Sequence, residues 1–303
     1  MASRRYAGKT RSRSSRRTYR KKRAYPTRRT TRKRVSRRMP SRKSLLNVTS
    51  RKKRDTMIAY SNVTPANPQA GTAYTQTGGA VMPATQSYIF PWIATARDNA
   101  ITGQAPSTVF DESGRTAHTC FMKGLRENIE VTTNDGLPWQ WRRICFTLKG
   151  TSLIATQTTG YTFQLEASDG WKRVVNTAYG NTAVGALQSL LFRGAAGVDW
   201  SNNITAPLDT TNINVMYDKY RNIRAGNEQG TIRNFKLYHP MNKNLVYDDD
   251  EQGGKESGNS FSTTGKPGMG DYYVVDIFQP RTGGTASSVL RFEPTATLYW
   301  HEK

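Results

Sequence analysis

Few side chains in this sequence have the type and spacing that chemistry requires. The histidines are His118, His239 and His301, and the cysteines are Cys120 and Cys145. His118, Cys120, Cys145 and His239 are the residues a tetrahedral metal site would draw on. Their spacing lacks the paired Cys-x-x-Cys or His-x3-His pattern that sets two ligands side by side, so no metal site is expected. The run Asp248-Asp249-Asp250-Glu251 offers hard oxygens suited to calcium. It has neither the alternating ligands nor the glycine of an EF-hand loop. It reads as a solvated loop; the alternative is a divalent-ion or arginine contact between subunits. No phosphate loop of the form Gly-x-x-x-x-Gly-Lys-Ser/Thr occurs, and no Gly-x-Ser-x-Gly turn. Gly253–Gly270 is glycine-rich, but no helix follows it to present amides to a phosphate. No carboxylate pair stands out for acid–base work. No catalytic residue, cofactor or metal is expected, and the sequence gives no sign of an enzyme.

The chemistry that is present is charge neutralisation. The chain has 45 basic and 22 acidic residues, and 24 of the basic ones lie in Met1–Arg54, where there is no acid at all. That leaves 21 basic against 22 acidic residues in Asp55–Lys303. The net charge of +23 therefore belongs to one end, and that end needs a polyanion. Its candidate phosphate-binding residues are Arg4, Arg5, Lys9, Arg11, Arg13, Arg16, Arg17, Arg20, Lys21, Lys22, Arg23, Arg28, Arg29, Arg32, Lys33, Arg34, Arg37, Arg38, Arg42 and Lys43. Tyr6, Tyr19 and Tyr25 interrupt the basic blocks; they either stack on unpaired bases or are scattered without function.

Two denser blocks, Arg20-Lys21-Lys22-Arg23 and Arg51-Lys52-Lys53-Arg54, are candidate nuclear-import signals. Like charge and the lack of apolar periodicity predict that Met1–Lys43 is disordered until phosphate neutralises it. The arm lacks the apolar core of a secretory signal, and it cannot form the amphipathic helix of a mitochondrial transit peptide. Two cysteines in so long a chain read as buried free thiols of an intracellular protein.

Trp139, Trp141, Arg142 and Arg143 form a second basic–aromatic group. One reading is nucleic-acid contact from the rigid body, with the indoles stacking on bases. The other is a strand with its tryptophans in the core and its arginines paired to acids.

The elements that would carry these residues read as short strands. Phe121, Leu125, Ile129 and Val131 alternate with Met122, Gly124, Arg126, Asn128 and Glu130. Ile144, Phe146 and Leu148 share one face, with Trp141, Arg143 and Cys145 on the other. Further candidates are Met57–Val63, Tyr88–Ile93, Tyr161–Leu165, Ile213–Tyr217 and Thr231–His239. Tyr272–Phe278 is nearly continuous apolar, as a strand covered on both faces would be. Leu290, Phe292, Ala296, Leu298 and Trp300 share a face, and Pro294 among them predicts a bulge or an edge.

One short helix is expected within Ala183–Phe192, from the spacing of Val184, Leu187, Leu190 and Leu191. Leu45–Thr49 is a candidate anchor for the arm. The stretches 64–85, 97–115, 194–210 and 248–270 read as long loops, of the kind that serve function or contacts between subunits. No apolar run is long enough to span a bilayer, so no membrane partner is expected. The fold class is all-β: an antiparallel sandwich or barrel, with the jelly roll as the version often found in viral shells. Residues 1–54 form the arm and 55–303 the body.

Three segments, Leu45–Met57 (LLNVTSRKKRDTM), Thr119–Asn128 (TCFMKGLREN) and Pro138–Phe146 (PWQWRRICF), resemble the capsid proteins of genomoviruses, which are small circular single-stranded DNA viruses. The likeness extends to the Arg-rich start and to Tyr299-Trp300 near the end. The arm by itself is also similar to those of geminivirus and circovirus capsid proteins. The resemblance implies a single jelly roll and self-assembly of copies of the chain into a small icosahedral shell. It also implies a packaged circular single-stranded DNA genome and entry to the host nucleus through an import receptor. The expected locations are thus the virion and the host nucleus. A basic-tailed cellular protein, ribosomal or chromatin-associated, is the alternative from a different class. A nucleic-acid enzyme with a basic extension is the weakest reading.

Overall fold

A computed structural model describes residues 41–303, apart from 77, 101–105 and 178–182. In chain order its elements are α1 (Arg42–Thr49), β1 (Arg51–Met57), β2 (Ala59–Ser61), β3 (Ala80–Pro83), β4 (Tyr88–Ile93), β5 (Thr119–Thr133), β6 (Trp139–Leu148), β7 (Leu165–Ala167), β8 (Gly170–Val175), α2 (Ala183–Leu191), β9 (Asn214–Ile223), β10 (Thr231–Val246), β11 (Asp250–Gln252), β12 (Lys255–Ser257), β13 (Asp271–Pro280) and β14 (Val289–Glu302).

The long strands form two antiparallel sheets. One runs β1-β14-β5-β10, with β3 also on the β1 side of β14; the other runs β4-β13-β6-β9. The first and last strands of the chain thus pair, and the long strands from β3 to β14 alternate between the two sheets except at β6 and β9, which share one. This is the strand order of a jelly roll. A small sheet, β2-β8-β7, lies beside them. Among the described residues no helix is long and apolar enough to cross a membrane.

Alternation in the sequence sets the layers. Between the sheets lie two apolar clusters. One contains Met57, Trp92, Met122, Leu125, Tyr272, Val274, Leu298 and Trp300. The other contains Tyr88, Phe90, Trp139, Trp141, Phe278, Leu290 and Phe292. Each such side chain contributes about 1.5–3 kcal/mol by leaving water. A third cluster covers the outer face of β4-β13-β6-β9: Ile89, Ile144, Phe146, Tyr273, Val275 and Ile277 pack under Leu187 and Leu191 of α2 and under Tyr161, Phe163 and Phe192. That cover explains the unbroken apolar run of β13, because both of its faces are buried. The helix lies where its periodicity placed it.

Several expectations need adjustment. The strand expected from Met57 begins at Arg51, because Arg51–Met57 already pair with Glu302–Ala296. The compact unit begins earlier still, at Lys43, rather than at Asp55. Leu45, Leu46 and Val48 do not anchor α1, since none of its residues is buried. Leu165–Ala167 is a strand, but Tyr161 and Phe163 enter the core from a loop. The loops at 64–85 and 248–270 contain β3 and the β11–β12 hairpin.

Alternation also fails at one point in β5. Tyr299↔Gly124 is followed by Trp300↔Met122, so Lys123 is an extra, bulged residue. The slip reverses the faces beyond it: Met122 is buried and Phe121 points outward beside the His301 ring. Pro294 pairs with Ile129 on one side. Its other side is the gap between β3, which pairs with 289–292, and β1, which pairs with 296–302.

Candidate nucleic-acid interface

The arm candidates from Arg4 to Arg38, including the block Arg20-Lys21-Lys22-Arg23 and the three arm tyrosines, lie outside the described residues. Arg42 and Lys43 are exposed at the start of α1. The second block is structured: Arg51, Lys52, Lys53 and Arg54 are the first residues of β1. Pairing with β14 turns Lys53 inward. Its Nζ lies 3.2 Å from Glu302 Oε2 and donates to the Gly114 carbonyl at 2.7 Å, with both side chains of the ion pair buried. Burial alone would raise the Glu302 carboxyl. Donors from Thr116 and Trp300 and the Lys53 charge hold it below its ordinary value instead. Arg51, Lys52 and Arg54 remain exposed, and Arg54 is paired with Glu112. The block thus presents three exposed cations in a strand rather than four in an open segment.

Trp139, Trp141, Arg142 and Arg143 do not form a nucleic-acid surface; all four are buried. Their strand, β6, is interior to its sheet and both of its faces are covered. Trp141 stacks on Phe278 at 5.6 Å and donates its indole N–H to Asp276 at 2.7 Å. Arg143 binds Asp276 through Nε at 2.7 Å and Nη2 at 2.8 Å, and pairs with Glu127 through Nη1. Arg173 joins the same carboxylates, at 2.8 Å to Asp276 and 3.2 Å to Glu127. The result is a neutral quartet of two guanidiniums and two carboxylates between the sheets. Arg142 points the other way, to Asp218 at 2.8 Å and to the carbonyls of Asn203, Ile204 and Ala206. The second of the two readings therefore holds: tryptophans in the core, arginines paired.

The titratable residues are similarly occupied. Cys145 Sγ lies 4.0 Å from His239 Nδ1, a proximity that the spacing gave no hint of. Burial pushes the Cys145 thiol up to about 12 and His239 down to about 4, so both are neutral near pH 7 and the thiol is a poor ligand. In the acidic run, Asp249 accepts from Arg115 within the same chain, at 2.8 Å from Nη2. Arginine pairing there is thus intramolecular. His118, Asp249 and Glu256 bring ligand atoms within 4.8 Å of one another, but both Asp249 oxygens already accept from that guanidinium.

An exposed basic surface of the body lies on the outer face of β1-β14-β5-β10. Lys52 stands opposite His301, which stands opposite Phe121; Arg126 stands opposite Tyr238. Here Lys52, Lys123, Arg126, Tyr238, Tyr299 and His301 line a shallow groove of about 320 Å³. Burial, with the Lys52 and Lys123 charges beside it, holds His301 below its ordinary value. Lys123 Nζ donates to Asn242 Oδ1 at 2.9 Å, and Lys52 Nζ to the Ser50 carbonyl at 2.8 Å. Among the described residues none of Lys52, Lys123 and Arg126 is paired with a carboxylate. Among the described residues the acids near this face are Glu112, paired with Arg54, and Glu130 and Glu293, neighbours beyond Asn128, of which Glu293 is paired with Arg291.

Sequence reasoning missed this face. Its residues sit in four distant segments, and only the pairing order β1-β14-β5-β10 brings them together. No family model matches the chain, and no curated protein is detectably similar to it.

Proposed function

We propose that the protein is a viral capsid protein that assembles into a small icosahedral shell and packages circular single-stranded DNA through its basic arm. The observation that carries this reading is the separation of charge: 24 basic residues and no acid in the first 54, ahead of a body with 21 basic and 22 acidic residues. The jelly-roll strand order supports a building role for that body. The viral context, the circular genome and the route to the host nucleus by an import receptor rest on the resemblance to genomovirus capsid proteins.

The chemistry is neutralisation. Guanidinium and ammonium groups displace condensed counterions from phosphate, without regard to base sequence. A smallest shell of roughly sixty copies carries about 1,440 arm charges against one per nucleotide, which suits a genome of about one to a few kilobases. No catalytic step, cofactor or membrane contact is part of the proposal.

Electron microscopy of purified, nuclease-treated protein tests it. Closed particles of uniform size that protect single-stranded DNA are expected. A basic-tailed ribosomal or chromatin-associated protein, which the charge separation also fits, gives monomers or small complexes. That result would overturn the capsid reading.

A further inference from the structure

We propose that the groove on the outer face of β1-β14-β5-β10 is a second DNA subsite, in which an unpaired base stacks on Tyr238 and the flanking phosphates lie on Lys52, Lys123 and Arg126. The inference rests on the single-stranded DNA reading above and, of residues 1–54, uses only Lys52, which lies in β1.

Tyr238 is 51 % exposed, although it lies across its own sheet. The ring can lie there because residue 124 is glycine: a Cβ at Gly124 would stand 2.7 Å from the Tyr238 hydroxyl. That hydroxyl is 3.4 Å from the Lys123 carbonyl. The hydroxyl end of the ring thus lies over Gly124 of β5, beside the Lys123 bulge, and Tyr238 stands opposite Arg126. A half-exposed aromatic ring flanked by cations with no carboxylate partner matches a base with its phosphates, since every base presents a π-face. Strands lie about 4.8 Å apart, so β1 to β10 spans roughly 14 Å, room for on the order of four nucleotides at helical rise. The folded body also begins at this site: Lys52 stands near the start of β1, just after α1. An acidic segment of a neighbouring subunit would meet the charges but leave the ring without a partner.

The test uses the full chain, a labelled oligothymidylate, and a salt titration extended until the arm's electrostatic contribution is suppressed. Tyr238→Ala is expected to weaken the remaining high-salt affinity by about five- to hundredfold, and Tyr238→Trp to retain it. Lys123→Ala with Arg126→Ala is expected to lower the slope of log K against log salt by about 1.4. Ultraviolet cross-linking followed by mass spectrometry is expected to label Tyr238. Thermal melts show whether each variant is folded, and cross-linking on the unaltered protein does not depend on any variant. Wild-type affinity of Tyr238→Ala at high salt, with cross-links confined to the arm, would overturn the subsite and leave arm-driven packaging intact. Loss of assembly without loss of DNA affinity would assign the groove to a neighbouring subunit, and also overturn it. If the unaltered protein binds no oligonucleotide at any salt, the packaging reading itself fails.

Discussion

Replacing Asp276 by Asn tests the account of the core most directly. The carboxylate is fully buried and accepts from the Trp141 indole, from Arg143 Nε and Nη2, and from Arg173 Nη2. With Glu127 it balances two guanidiniums that touch no water. Asparagine keeps the shape but leaves one uncompensated positive charge between the sheets and turns an NH2 toward arginine donors. Breaking a buried ion pair in this way costs about 3–5 kcal/mol. For a unit of this size that lowers Tm by roughly 6–20 °C.

Asp218→Asn is the control. That carboxylate is partly exposed, and Arg142 keeps its three carbonyl acceptors, so about 1 kcal/mol is expected. Urea unfolding of dissociated subunits, followed by tryptophan fluorescence, measures both. Burial alone would raise the Asp276 carboxyl, but Arg143, Arg173 and the Trp141 N–H hold it below its ordinary value. Its contribution is therefore complete above the unfolded pKa of about 3.9 and is lost as pH falls through the lower folded value. Equal losses for Asp276→Asn and Asp218→Asn near pH 7 would refute the argument that burial decides the cost.

Three further outcomes follow from the same geometry. Burial raises Asp271 to about 6 despite donors from Ser262 and Thr95; its stabilisation is present in acid and lost as pH rises through that value, so Asp271→Asn should flatten the stability profile between pH 4 and 7. Lys53→Met, which strands Glu302, should cost about 3 kcal/mol in thermal denaturation, whereas Lys52→Met one residue away should stay within about 0.5 kcal/mol. Deleting Met1–Lys43 should leave a foldable body, seen by circular dichroism, that protects no nucleic acid after nuclease treatment; full particles from that truncation would contradict the role of the arm.

The layers of this fold were legible because period-two alternation survives in β6, which divides its side chains between apolar clusters on its two faces, and in β14, which turns one face to the core. The cover over the second sheet was legible in β13 as an unbroken apolar run and in α2 as helical spacing. Arg51–Arg54 was not. A run of four cations carries no alternation in hydropathy, so nothing marked Lys53 as the residue that turns inward to Glu302. The Lys123 bulge was hidden for a related reason: Phe121 and Met122 are both apolar, and only the register with β14 and β10 decides which is buried. Trp139–Arg143 could be read as a binding surface or as core because buried, paired arginine and exposed arginine have the same letter. Their partners, Asp276, Glu127 and Asp218, lie on three other strands.

The two sheets are unequal, and the inequality bears on how binding and building are divided. The outer face of β4-β13-β6-β9 is closed by α2 and its neighbouring loops, with Leu187, Leu191 and Phe192 packed against it. Among the described residues nothing comparable covers the outer face of β1-β14-β5-β10, where Lys52, Lys123 and Arg126 are exposed. Residues 55–303 are near neutral in sum, but with β1 added the body is not neutral in arrangement. In the capsid reading, the open basic face turns toward the genome and the covered face turns away. Charge on the arm without charge on that face would hold DNA at the end of a tether. Charge on both would draw the strand against the sheet, where base stacking, which survives high salt, adds to phosphate contacts, which do not.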